Sequence, residues 1–282
     1  MATVDTPIRR RDTTAKVVLY LVLCAGLVVM VGPFIWMLLS SIKPEAEIRQ
    51  VPPTWWPKTF TLANYHDLFA RLDFPKYFGN SVIVALLVTA GNLIFCSALG
   101  YALAKLKFPG KKLLFLLVLG MLMVPGMAVF VPQFVLVSNL DLVNTYAGLV
   151  LPFLAGPFGV FLMRQYLLSL PDELIEAARV DGAGEFRIFW RIVLPLSRPA
   201  LATLGILTFL ASWNNFLWPL VVATTEDKYT LPVALALYSV GQNRLNFGLA
   251  LAGAVVVVLP ILIVFLLLQR YFLRGIATTG LK

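Results

Sequence analysis

The side chains able to do chemistry in this chain are few, and they are gathered. The stretch EAARVDGAGEFRIFWRIVLPL, from Glu176 to Leu196, carries six charged groups: Glu176, Arg179, Asp181, Glu185, Arg187 and Arg191. A second group, Trp213, Asn214, Asn215 and Trp218 in SWNNFLWPL, joins indole faces to amides, a pairing suited to sugar rings and their hydroxyls. Asn214 and Trp218 stand at i, i+4 and Asn215 and Trp218 at i, i+3, so each pair shares a helical face. The same residues also suit, and more ordinarily serve as, interhelical amide hydrogen bonds and indoles anchored at a water–lipid boundary. No catalytic constellation accompanies them. His66 is the only histidine and has no neighbouring ligand set, so no metal site is expected, and no Ser/His/Asp or Cys/His arrangement is visible. Cys24 and Cys96 fall in apolar runs and read as small packing residues, not as a disulfide framework.

The elements that must position these groups are built for lipid. Mean hydropathy is +0.86 and only 13% of residues are charged, which excludes both a soluble globular domain and a disordered chain. Runs free of Asp, Glu, Lys and Arg separate Lys16 from Lys43, Lys76 from Lys105, Lys112 from Asp141, Asp141 from Arg164, Arg198 from Glu226 and Arg244 from Arg270. Crossing a hydrocarbon core takes roughly 20 helical residues. Six spans are therefore expected, at about 17–41, 79–104, 113–137, 144–165, 199–223 and 247–269. Continuous apolarity, without ten-residue alternation, favours helices over a barrel. The first run lacks a small-residue cleavage pattern and reads as a retained anchor. Residues 1–15 read as a polar, basic lead. With that lead in the cytoplasm, 16 of the 23 Lys and Arg residues fall on the inner side, and the outer loops balance seven cations with seven acids. The basic charge is thus a topology signal, and no nucleic-acid partner is expected.

Between the spans, the outer loop 43–78 is rich in proline and aromatics. Its Trp55 and Trp56 suit the water–lipid boundary, with partner docking as the alternative. KLKFPGKK, at 105–112, is a tight inner turn reversed at Pro109-Gly110. Prolines inside or near the spans (Pro33, Pro125, Pro132, Pro152, Pro157, Pro219, Pro260) either merely kink the bundle or break helices around a path. No internal repeat appears, so one membrane domain is expected.

Leaving the six charges of the opening stretch in lipid would cost roughly 15–21 kcal/mol, at about 2.5–3.5 each, so residues 164–198 must sit in water or against protein. Their local grammar is helix, turn, helix. Ser169-Leu-Pro-Asp172 resembles a capping box, and Leu174, Ile175 and Ala178 fall on one face. Asp181-Gly182 breaks the helix, then Phe186, Phe189 and Trp190 group on one side. Ala177 and Ala178 leave a smooth surface for close approach. These features fit both an amphipathic helix lying on the membrane and a docking site.

The spacing Glu176-Ala177-Ala178, Asp181-Gly182-Ala183, Ile192, Leu194-Pro195 resembles the EAA loop of permease subunits of ATP-driven, binding-protein-dependent importers. PTWWPKTFTLANYHDLF, Asn80-Ser81, SWNNFLWPL and QRYFLRGIATTGLK are similar to the maltose-permease-like, carbohydrate-uptake branch, and the resemblance covers residues 17–282. It implies an all-α integral membrane fold, a transmembrane domain over 16–282, with a cytoplasmic coupling-helix loop between helices four and five. It further implies a bacterial inner-membrane, multi-pass protein with both termini cytoplasmic. The implied partners are a second, distinct permease subunit, a dimer of ABC ATPase subunits, an extracytoplasmic sugar-binding protein and membrane lipid. ATP and Mg would belong to the ATPase and no cofactor to this chain. Glu176 would face a basic groove residue of the ATPase. Ala177, Ala178 and Ala183 would be close-packing positions, Gly182 the turn, and Phe186, Ile192, Leu194 and Pro195 further coupling positions. Independently, no G-x-x-x-x-G-K-[ST] loop is present and no span contains an acid or base short of Arg164 at the end of the fourth, so a transporter built this way needs an external engine. The alternatives are an importer permease for a non-sugar solute such as glycerol phosphate, a secondary carrier, or a membrane-embedded enzyme.

Overall fold

The computed structural model describes the backbone of residues 13–240 and 246–279 and the side chains of 16–70, 72–238 and 246–266. Most of the expected lead 1–15, part of the GQNRLN segment and the side chains of the C-terminal tail lie outside the described residues. Among the described residues every regular element is helical. In chain order these are α1 (Thr13–Ser41), α2 (Glu45–Ile48), α3 (Ala63–Arg71), α4 (Phe74–Lys105), α5 (Lys111–Met123), α6 (Gly126–Asn139), α7 (Tyr146–Val150), α8 (Pro157–Leu168), α9 (Asp172–Val180), α10 (Glu185–Ile188), α11 (Leu194–Leu196), α12 (Arg198–Trp213), α13 (Leu217–Val222), α14 (Leu231–Val240) and α15 (Phe247–Thr279).

The chain forms two compact units. The first comprises residues 1–68 and 245–255. Here α1 is apolar on every side and its side chains from Lys16 to Met30 are all exposed, the arrangement of a helix solvated by hydrocarbon. The loop after it is held by polar side chains. Asn64 Nδ2 donates to the carbonyls of Ser41 and Lys43, both at 2.8 Å. The buried Glu47 carboxylate accepts from Lys58 N–H and Thr54 Oγ1, both at 2.9 Å, and these bonds hold it below the usual carboxylate range. Trp55 and Trp56 are left exposed.

The second unit, residues 69–244 and 256–282, is organised around α4, which packs along α8 and α12. In lipid no hydrophobic effect drives helices together, so close backbone approach must do it. A Cβ on Gly100 would stand 2.8 Å from Met163 Cβ, and one on Gly159 2.7 Å from Cys96 Sγ, so the glycines set this contact.

Three of the expected spans are not straight helices. The run at 113–137 is α5 plus α6, bent by 105°. Pro125 has no N–H for the helical ladder and forces Val124 into extended backbone, φ −79°, ψ 122°. The run at 144–165 bends by 42° between the turn ending at Phe153 and α8. Asn92, from the middle of α4, mends that break: its Nδ2 donates to Phe153 O at 2.5 Å and its Oδ1 accepts from Gly156 N–H at 3.2 Å. A break at membrane depth is tolerable only when such partners satisfy the freed groups. The run at 199–223 stops at Trp213 and restarts at Leu217. Pro219 offers no N–H to Asn215, whose own side chain instead accepts from Trp218 N–H at 3.4 Å.

Candidate functional site

Residues 172–196 fold as an elbow. Helix α9 starts directly after Pro171, and the expected capping box is not made: Ser169 Oγ donates back to Tyr166 O at 2.7 Å, while Pro171 lends no side-chain cap. The first turn is held by charge, with Lys105 Nζ donating to Asp172 Oδ1 at 2.5 Å and to Leu170 O at 2.6 Å. That pair keeps the Asp172 carboxyl below its ordinary range.

At its other end α9 closes in a Schellman motif. Gly182 takes φ +77°, its N–H donates to Arg179 O at 3.0 Å, and Ala183 N–H reaches Ala178 O at 2.9 Å. A left-handed residue is required at this point, and glycine takes it without steric cost. Helix α10 then runs into a π turn over Phe189–Val193, and the elbow meets α12 at 80°. Pro195 cannot donate to the carbonyl of Arg191, and the chain widens there so that Leu194 N–H bonds Phe189 O instead.

The elbow has two faces. Ile175, Ala178, Ile188, Phe189 and Val193 are buried in one cluster with Tyr101 and Leu103 of α4, Met163 and Leu167 of α8, and Leu204 of α12. Ala183, Ile192 and Leu194 are half-buried against the same cluster. On the opposite face, Glu176, Ala177, Asp181, Gly182, Phe186 and Pro195 are exposed, Phe186 by 78% and its neighbour Val180 by 87%. Among the described residues no hydrogen bond or ion pair engages the Glu176 carboxylate. Three expectations are corrected by this partition. Ala178 is not part of a smooth outer surface with Ala177, because one helical step turns it into the core, and Leu174 is exposed where Ile175 and Ala178 are buried. Phe189 likewise points inward, leaving Phe186 and Trp190 outside, with ring centroids 6.0 Å apart.

Sequence reasoning missed the polar node that joins the elbow to the spans. Glu185 accepts from Tyr101 Oη, near the C-terminal end of α4, at 2.5 Å and from Arg179 Nε at 2.7 Å. The Arg179 hydrogen bond, supported by Tyr101, lowers the Glu185 carboxyl below its ordinary range against a smaller penalty from burial. Glu185 was visible as a charge, but its tyrosine partner lies 84 residues away.

At the second group the helix break separates what the i, i+4 spacing had joined. Trp213 is 1% exposed, its Nε1 donates to Val257 O at 3.1 Å, and Phe78 and Phe209 flank its ring. Trp218 is 2% exposed, donates to Gly148 O at 3.0 Å, and meets Phe130 and Phe153 edge-on. Neither indole offers a free stacking face, which corrects the expectation that they could cradle a ring. Asn214 is exposed and Asn215 half-buried, with the Asn214 amide donating to its own helix at Leu210 O, 2.9 Å. Among the described residues no group of His, Cys, Asp and Glu could hold a metal ion.

Comparison with known proteins follows this geometry closely. Residues 96–278 match the family described as binding-protein-dependent transport system inner membrane component. The chain is 42% identical over 257 residues to the arabinooligosaccharides transport system permease protein AraQ of Halalkalibacterium halodurans, covering 90% of this chain and 92% of that one. It is 35% identical over 246 residues to the diacetylchitobiose uptake system permease protein NgcG of Streptomyces coelicolor, covering 86% and 81%. Among solved structures, a chain of a bacterial ABC transporter involved in the import of the acidic polysaccharide alginate superposes with a TM-score of 0.82 at 25% identity, covering 95% of this chain and all of that one.

Proposed function

The chain belongs to the family of binding-protein-dependent transport system inner membrane components, and from that premise we propose that it is the carbohydrate-conducting permease subunit of an importer driven through the elbow 172–196. The observation that carries this reading is the division of the elbow into an inner face locked into α4, α8 and α12 and an outer face left without a partner. The outer face combines the Glu176 carboxylate with Ala177, Gly182 and the large apolar Val180 and Phe186, a surface shaped for a groove on another protein. An ABC ATPase dimer, holding ATP and Mg itself, is the partner of this reading, and the elbow lies in the cytoplasm with both termini. Glu176 meets a basic residue of the ATPase groove, and Ala177 allows close approach. A push on this face moves the spans because Ile175, Ile188 and Phe189 are interlocked with them and close-packed interiors transmit strain. The second permease subunit completes the path, and a binding protein delivers the solute outside.

The relatives named for oligosaccharides support a sugar substrate. Asn214 and Asn215, at the break after α12, are the polar groups this reading assigns to its hydroxyls. Trp213 and Trp218 hold that break in shape.

The test is substrate-stimulated ATP hydrolysis by the reconstituted complex. Gly182→Pro, which cannot adopt φ +77°, and Glu176→Lys are each expected to abolish stimulation while the subunit remains inserted and assembled. Stimulation at the level of the unmodified complex in either variant would overturn the assignment.

A further inference from the structure

Beside the turn 106–110, between α4 and α5, lies an open recess of about 580 Å³ lined by Lys107, Lys111 and Lys112 together with Leu106, Phe108 and Leu113. No carboxylate lines it. Lys111 Nζ donates to Ala104 O in the last turn of α4 at 3.0 Å and to Leu106 O just beyond it at 2.9 Å, which fixes its charge at the rim. Lys107 and Lys112 are exposed, and among the described residues neither forms a hydrogen bond or ion pair. Lys105 and Arg164 add positive charge close by, and Asp172, already bonded to Lys105, is the acid set against them. The recess is therefore a shallow, open surface on which the lysines outnumber the one nearby acid, Asp172.

Its position identifies the anion. The turn sits where α4 ends and α5 begins, at the boundary the apolar helices define. The apolar wall of the recess continues into exposed Leu113, Leu114, Leu116 and Leu117 of α5. A soluble phosphate has no use for that wall, whereas a phospholipid sets its phosphate among the lysines and its glycerol and acyl chains against the leucines. We infer that this recess is a binding site for the headgroup of an anionic phospholipid in the adjoining leaflet. The inference concerns the membrane edge of this subunit and is independent of ATPase docking, so the two can fail separately.

The experiment uses the whole purified transporter in detergent micelles doped with dioleoylphosphatidylglycerol or dioleoylphosphatidylcholine, with retained lipid counted by native mass spectrometry. The unmodified protein is expected to retain phosphatidylglycerol in preference to phosphatidylcholine. Each interfacial lysine contributes roughly fivefold, so K107Q/K112Q should lower retention roughly 25-fold. Both side chains are exposed and unbonded, so the fold should survive. K58Q/K228Q, which removes the same charge from other loops, should leave retention unchanged. Equal retention of the two lipids by the unmodified protein overturns the inference without any variant. So does undiminished retention in K107Q/K112Q, or full displacement of the lipid by inorganic phosphate.

Discussion

Glu185 is the residue whose removal should most directly loosen the elbow from the spans. Its bond from Tyr101 Oη, 2.5 Å long and partly buried, joins an uncharged donor to a carboxylate and belongs to the class worth about 1.5–3 kcal/mol. The bond from Arg179 is between side chains 39% and 44% exposed, where an ion pair contributes about 0.2–1 kcal/mol. Glu185→Ala should therefore cost about 2–3 kcal/mol of local stability, most of it through Tyr101. Tyr101→Phe should reproduce the larger share, and Arg179→Ala the smaller. Amide hydrogen exchange over 176–190 in the assembled transporter reads this directly: opening should become roughly 30- to 150-fold more frequent in Glu185→Ala. In a double-mutant cycle, Glu185→Ala and Tyr101→Phe should be non-additive by at least about 1 kcal/mol. Acid is an independent probe. The Glu185 carboxyl titrates below its ordinary value of 4.5 in the folded protein, so its contribution is complete above that value and fades as pH falls beneath it. Strict additivity, or exchange indifferent to the loss of Glu185, would refute the view that this carboxylate bolts the elbow to α4.

The remaining expectations concern the packing that surrounds the elbow and the path. Gly100→Ala drives a Cβ to 2.8 Å from Met163 Cβ and should cost about 1–3 kcal/mol in thermal unfolding, whereas Gly120→Ala, with nothing within 4 Å, should be harmless or stabilising by about 0.5–1 kcal/mol. Asn92→Leu strips the break before α8 of its partners at Phe153 O and Gly156 N–H, and should lower stability by about 2–4 kcal/mol with faster exchange at the Gly156 amide. Trp218→Phe keeps the aromatic contacts but orphans the Gly148 carbonyl, so the melting temperature should fall by the equivalent of about 1–3 kcal/mol while solute affinity stays unchanged; a lost affinity with unchanged melting would restore the stacking role.

The elbow itself was legible because a dense block of charge in so apolar a chain has nowhere to go but water or protein. Its turn was legible too, since Asp181-Gly182 is a local signal and φ +77° a local need. Its faces were not. The choice between Ala177 and Ala178, or between Phe186 and Phe189, depends on which side meets α4, α8 and α12, and short amphipathic pieces interrupted by a π turn carry too little periodicity to say. The indoles misled for a related reason: Trp213 and Trp218 look alike in sequence whether they face a solute or close over a backbone carbonyl. Asn80 is a parallel case, read only as part of a motif, yet it donates to Asp227 O and Tyr229 O, both at 2.9 Å, and accepts from Tyr146 Oη at 2.6 Å.

What the sequence determined by itself was the solvent of each segment: which stretches lie in hydrocarbon and which must sit in water or against protein. Transfer into lipid is a sum over neighbouring residues, and a local sum can be read along a line. The tertiary structure alone decided how the break before α8 is mended by Asn92, which side of the elbow is anchored, and that Glu185 finds Tyr101. Those outcomes rest on pairings between residues tens of positions apart, and their free energies exist only once the chain has brought the two ends together.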